Sequence, residues 1–125
     1  MQYLLTIWME ETDFEPTPEA MAPWRAFNNE GVGTGVLRAG SGLQPSTTAT
    51  TVRGGGEVVL TDGPFVETKE QLAGYYVVDC ADLDEAIAWA KKVPAVLWGA
   101  AIEVRPVVGG TDVHENIDAA GTAVS

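Results

Sequence analysis

Histidine and cysteine are nearly absent from this 125-residue chain, each occurring once, as His114 and Cys80. A single cysteine excludes an intrachain disulfide and a cysteine-rich zinc site. A single histidine excludes a histidine-rich metal site within one chain. Any histidine-based triad would depend on His114, which lies between Val113 and Glu115 in a polar terminal stretch and reads as a solvated surface residue. Basic residues are scarce too: 7 Lys and Arg stand against 18 Asp and Glu, a formal net charge of -11. Such a surface repels phosphate backbones and anionic lipid, so neither nucleic acid nor a membrane is an expected partner. No apolar run approaches membrane-spanning length. The start, Met1-Gln2-Tyr3-Leu4-Leu5, lacks the basic segment of a secretory signal and runs into Glu10-Glu11, so the expected compartment is the cytoplasm.

Hydrophobic residues make up 46% of the chain, enough for a packed core in one domain. Tyr3 to Met9 is rich in β-formers, with neither side of the alternation purely polar, which suggests a strand covered on both faces. Thr17 can cap a helix with Pro18 at its first position and Glu19 in its first turn. Ala20, Trp24 and Phe27 then recur at helical spacing, and Gly31 is a plausible end. Val36 to Ala39 is a short strand candidate. Thr47 to Arg53, Gly54-Gly55-Gly56 and Glu57 to Thr61 read as a hairpin, its threonines suited to an exposed or edge position. Leu72 to Cys80 is a second strong strand, with Tyr76 and Val78 on one face and Ala73, Tyr75 and Val77 on the other. Asp82 and Glu85 form a capping box before the stripe Leu83, Ala86, Ile87, Ala90 and Val93, which Pro94 stops. Ala101 to Val107 is the last strand. Residues 109–125 are small, polar and acidic and read as a mobile tail after a domain at 1–108.

This order predicts an α+β fold: a ferredoxin-like sandwich with an antiparallel sheet, two helices on one face and an extra hairpin. The other face, with Trp8, Tyr75 and Val77, then needs cover, and a homodimer packed sheet to sheet supplies it.

The chemistry concentrates in Leu60-Thr61-Asp62-Gly63-Pro64-Phe65-Val66-Glu67-Thr68-Lys69-Glu70. Asp62-Gly63-Pro64 is a turn by composition. The Asp62 carboxylate either bonds nearby amides and shapes that turn or stands in a pocket as a base or ligand anchor, with Glu67 as a like charge beside it. Lys69 either pairs with Glu67 or Glu70 or orients an anionic ligand. Phe65 is expected to plug the turn, and Tyr75 to line a cavity at an interface. Cys80 reads as a small buried hydrophobe. Trp24 and Trp89 read as packing residues of their helices. The glycines of Gly31-Val32-Gly33-Thr34-Gly35 follow a helix and lack a closing Gly-Lys-Ser/Thr, so they make no phosphate loop. No cofactor is expected, and no metal beyond opportunistic binding at Asp112, His114, Glu115 and Asp118.

The segment Thr61-Asp62-Gly63-Pro64-Phe65-Val66-Glu67-Thr68-Lys69-Glu70-Gln71-Leu72-Ala73-Gly74-Tyr75-Tyr76 resembles the signature of the YCII-related superfamily, in its DGPF branch. Gly42-Leu43-Gln44-Pro45, Asp82-Leu83-Asp84-Glu85-Ala86 and Ile102-Glu103-Val104-Arg105-Pro106-Val107 fit as well. The resemblance implies a ferredoxin-like fold, dimers across the sheet face and an active site proposed around a histidine and an aspartate. Asp62 matches the acidic role. The first-helix position that carries a histidine in other members falls at Trp24, which moves no protons.

The function expected from these residues is a small dimeric domain with a pocket near Asp62-Gly63-Pro64-Phe65 for a small, partly apolar or anionic ligand. One alternative is a lyase- or isomerase-like enzyme, with Asp62 or Glu67 as base and Lys69 or Arg25 holding an anionic substrate. The other is a non-catalytic accessory or regulatory protein.

Overall fold

A computed structural model describes residues 1–109. The strands and helices, in chain order, are β1 (Gln2–Glu10), α1 (Pro18–Gly33), β2 (Leu37–Gly42), β3 (Thr50–Arg53), β4 (Val59–Asp62), β5 (Glu70–Asp79), α2 (Leu83–Lys92) and β6 (Ala101–Pro106). Short 3-10 turns occupy Ser46–Thr48 and Pro94–Trp98. The expected tail and the readings on Asp112, His114, Glu115 and Asp118 lie outside the described residues.

The main sheet has four strands in the order β2-β5-β1-β6, all antiparallel. The connection from β1 through α1 to β2 skips β5, and that from β5 through α2 to β6 skips β1. Two split β-α-β units are thereby interleaved in a mixed α+β fold. Among the described residues, β3 and β4 pair only with each other, as a separate hairpin.

The capping signals act as read. The Thr17 hydroxyl accepts from the Ala20 N–H at 3.1 Å, with Pro18 opening α1. At α2, Asp82 Oδ1 accepts from the Glu85 N–H at 2.9 Å and the Glu85 carboxylate accepts from the Ala81 N–H at 3.1 Å. Alternation in β1 sends Tyr3, Leu5 and Ile7 into the core, beside Tyr76 and Val78 of β5. Phe27 of α1 joins them, its ring centroid 5.0 Å from Tyr76 and 5.9 Å from Trp89 of α2. Both helices therefore cover the same sheet face. The Tyr76 hydroxyl donates to Asn28 Oδ1 at 2.8 Å, satisfying the one polar atom its ring carries inward. Trp24 packs at the edge of this core against Trp98, at 6.3 Å.

The opposite face carries Leu4, Thr6 and Trp8 of β1, Tyr75 and Val77 of β5 and Glu103 and Arg105 of β6, by cross-strand register. Leu4, Thr6, Trp8 and Tyr75 are half-buried there among their sheet neighbours and Val77 is buried, while both helices lie on the other face.

Some local expectations shift. Helix α1 does not stop at Gly31: it runs to Gly33, and Thr34 closes it by donating its N–H and hydroxyl to the Glu30 carbonyl at 3.0 and 2.9 Å. The left-handed glycine is Gly35, at φ 76°. Gly31 is instead a contact glycine, since a Cβ there would stand 2.7 Å from the Leu37 Cβ. Ala73 packs against the core rather than on the outer face, because the β1–β5 register slips between Ile7 and Trp8.

Candidate functional site

The chain leaves β4 at Asp62 and enters the glycine turn at once. Gly63 takes φ 106°, a conformation that favours glycine. Its N–H donates to the Ala49 carbonyl at 2.7 Å, and its carbonyl accepts from the Thr51 hydroxyl at 2.9 Å. These bonds shape the turn. Among the described residues the Asp62 side chain has no hydrogen bond or ion pair, so it does not organise the turn as a capping side chain would.

Downstream, the Gln71 amide donates to the carbonyls of Val66 and Thr68, both at 2.9 Å, and pins the loop before β5. Upstream, Glu11 Oε1 accepts from the Ser46 N–H at 2.8 Å and ties the 3-10 turn to the end of β1. The two clamps leave an open groove of about 580 Å³, lined by Glu11, Ser46, Asp62, Glu67, Lys69 and Gln71, with Glu10 at its side. A second groove of about 680 Å³, lined by Trp8, Glu70, Ile102 and Glu103, shares Glu10, Thr68 and Lys69 with the first. Trp8 is held in place there, since its indole N–H donates to the Thr6 hydroxyl at 2.9 Å.

The groove is acidic. Lys69 Nζ lies 3.1 Å from Glu10 Oε1, in an exposed ion pair. Glu10 takes the place expected for Glu67 or Glu70, because the end of β1 lies beside the start of β5, where Glu10 and Glu70 are register partners. Glu10, Glu11, Asp62 and Glu67 are all solvent-exposed. They attract cations and hydrogen-bond donors into the groove. Among the described residues no group of three or more His, Cys, Asp and Glu is arranged to hold a metal ion.

Asp62, Glu67 and Lys69 thus meet at one groove. The other candidates lie elsewhere. The Arg25 guanidinium donates to the Pro18 carbonyl at 2.8 Å on α1. Phe65 does not plug the turn: it is 69% exposed, with the Arg53 guanidinium 4.9 Å from its ring centre. Tyr75 stands on the outer sheet face, cross-strand from Thr6 and Ser41, and lines neither groove. Sequence reasoning passed over Glu10, Glu11 and Ser46; the acidic pair closing the first strand was the available signal. Cys80 is buried, and burial together with the Glu85 and Asp79 carboxylates pushes its thiol up to about 11, so it is no nucleophile at neutral pH.

Residues 1–109 match the family of the YCII-related domain. The chain is also similar to an uncharacterised protein of Rhizobium meliloti (strain 1021), at 41% identity over 87 residues, which is 69% of this chain and 67% of that one.

Proposed function

The chain belongs to the YCII-related domain family, and from that premise we propose that it is a small ligand-binding domain acting as a homodimer. The Asp62-Gly63-Pro64-Phe65 turn supports a reading within the DGPF branch, and the interleaved β-α-β order supports a ferredoxin-like arrangement. The observation that carries the binding reading is the groove of about 580 Å³, where residues far apart in the chain bring their carboxylates together. A small polar molecule with a cationic or hydrogen-bond-donating group suits it best. An anion would face Glu10, Glu11, Asp62 and Glu67, and Lys69 is already paired with Glu10. The open mouth suits reversible binding better than a lyase- or isomerase-like proton transfer, which gains from exclusion of water. The homodimer reading is supported by the outer face, where Leu4, Trp8, Tyr75 and Val77 have no helical layer over them.

The test is amide chemical-shift mapping with a panel of small amines, neutral amides and carboxylates. Amines or amides should move the resonances of residues 62–71, and the Asp62→Asn/Glu67→Gln double variant should lose the response while keeping its urea midpoint. A panel that leaves those resonances still, or shifts them only with carboxylates, defeats the proposal.

A further inference from the structure

The two grooves of the candidate site form one trough with unlike halves. Glu10, Thr68 and Lys69 line both, so they are the wall the halves share. On the Asp62 side the lining is polar, and Pro64 is the one apolar side chain in it among the described residues. On the other side stand Trp8, Ala101 and Ile102. Trp8 is the last β1 residue paired to both neighbouring strands, with Leu72 and Ala101 as partners, so it lies at the end of the outer face rather than in its middle. Its indole is half-buried, and its one N–H already donates to the Thr6 hydroxyl at 2.9 Å. The ring is therefore oriented by its own strand, and a ligand need not order it. With its N–H already bonded, it offers a ligand apolar area and a π face and no further donor.

We propose that the trough takes an arylalkylamine, a small molecule with an aromatic ring at one end and an ammonium a few bonds away. The premise is the ligand-binding reading above, whose ligand class this names. Charge fixes the orientation. On the Trp8 side Glu10 is paired with Lys69 at 3.1 Å and Glu103 with Arg105 at 2.9 Å, which leaves Glu70 alone. On the other side Asp62 and Glu67 both lack an ion pair among the described residues, so the ammonium is drawn there. A ring placed in that polar half would find little apolar surface to cover. Against Trp8 and Ile102 it gains both buried area and a ring contact. The linker is short because the halves share a wall. A ring carrying a carboxylate instead would set its charge against Asp62 and Glu67.

Amide and indole resonances of the isotope-labelled full chain, titrated with phenethylamine, ethylamine and phenethyl alcohol, test it. Phenethylamine should move both residues 62–71 and the Trp8 indole N–H. Its dissociation constant should lie about tenfold or more below those of ethylamine and phenethyl alcohol, each of which satisfies one half only. Trp8→Leu should bring phenethylamine to the level of ethylamine and leave ethylamine unchanged, and Trp8→Phe should keep most of the difference. Should Trp8→Leu lose its native circular dichroism, nuclear Overhauser contacts between the phenyl protons and the wild-type Trp8 indole decide: their presence upholds the ring site and their absence overturns it. If Trp8 stays still while residues 62–71 respond to amines, the arylalkyl class is overturned and the groove reading stands. If phenethylamine moves Trp8 without residues 62–71, the ring binds apart from the groove and the proposal is overturned. If neither amine moves residues 62–71, the proposal is overturned as well, and the neutral amides of the panel above decide the groove reading by themselves.

Discussion

Replacing Phe27 with alanine should lower the unfolding free energy by about 3–5 kcal/mol, the usual range for a buried aromatic truncated in a packed core. Phe27 is 4% exposed and its ring joins the layers, 5.0 Å from Tyr76 in the sheet and 5.9 Å from Trp89 in the second helix. Each such aromatic pair adds about 0.5–1.5 kcal/mol beyond simple burial. A domain of this size is stable by only about 5–15 kcal/mol, so the loss is a large share of the whole. In urea, with a slope of about 1–3 kcal/mol per molar, the midpoint should fall by roughly 2 M. Phe65→Ala is the control. That ring is 69% exposed and contacts Arg53 across a surface cation–π pair, so its removal should cost less than about 1 kcal/mol. Equilibrium urea unfolding followed by far-ultraviolet circular dichroism, at one fixed low protein concentration, compares the two. A Phe27→Ala midpoint within roughly 0.5 M of wild type, or an equal fall for Phe65→Ala, would refute the assignment of inside and outside.

Two further expectations follow from single contacts. Burial, with help from the Glu85 and Asp79 carboxylates, lifts the Cys80 thiol to about 11 from 9.0, so the folded state holds this proton more tightly than the unfolded chain. The stability this confers is intact below pH 9, then declines as pH rises through about 11, by at most about 3 kcal/mol, and Cys80→Ala should flatten that decline; thiol labelling of the native protein should be slow at neutral pH. Gly40→Ala would set its Cβ against the Tyr76 ring and 3.0 Å from the Tyr75 carbonyl, at a cost of about 1–3 kcal/mol. Gly42→Ala, whose Cβ would meet nothing closer than the Ala73 carbonyl at 4.0 Å, should change the unfolding free energy by less than about 0.5 kcal/mol. Equal effects at the two glycines would show that β2 does not lie against Tyr76 as described.

What was legible in the sequence is what depends on a few residues at a time. Thr17 and the Asp82–Glu85 box announce helix starts because a side chain reaches an amide within one turn. The alternation of Tyr3, Leu5 and Ile7, and the glycine turn between threonine-rich strands, identify a sheet and a hairpin by period and turn chemistry alone. The element order then leaves few topologies, and the interleaved one is found.

The candidate groove was only partly visible. Asp62, Glu67 and Lys69 lie within one loop, so their proximity could be read from the chain. Glu10 and Glu11 reach the same place because β1 lies beside β5, and the pairing of Lys69 with Glu10 rests on that register. The slip beside Ile7 turns Ala73 inward, which no alternation rule foresees. Phe65 shows the same limit: an aromatic side chain suggests burial, yet a hairpin that pairs only with itself among the described residues offers no interior for it to enter. Local propensity and capping are set by neighbours in the chain and so were determined by the sequence directly. Which carboxylates share a groove, and which apolar side chains stay wet, are set by contacts between distant segments, and only the packed tertiary structure decides them.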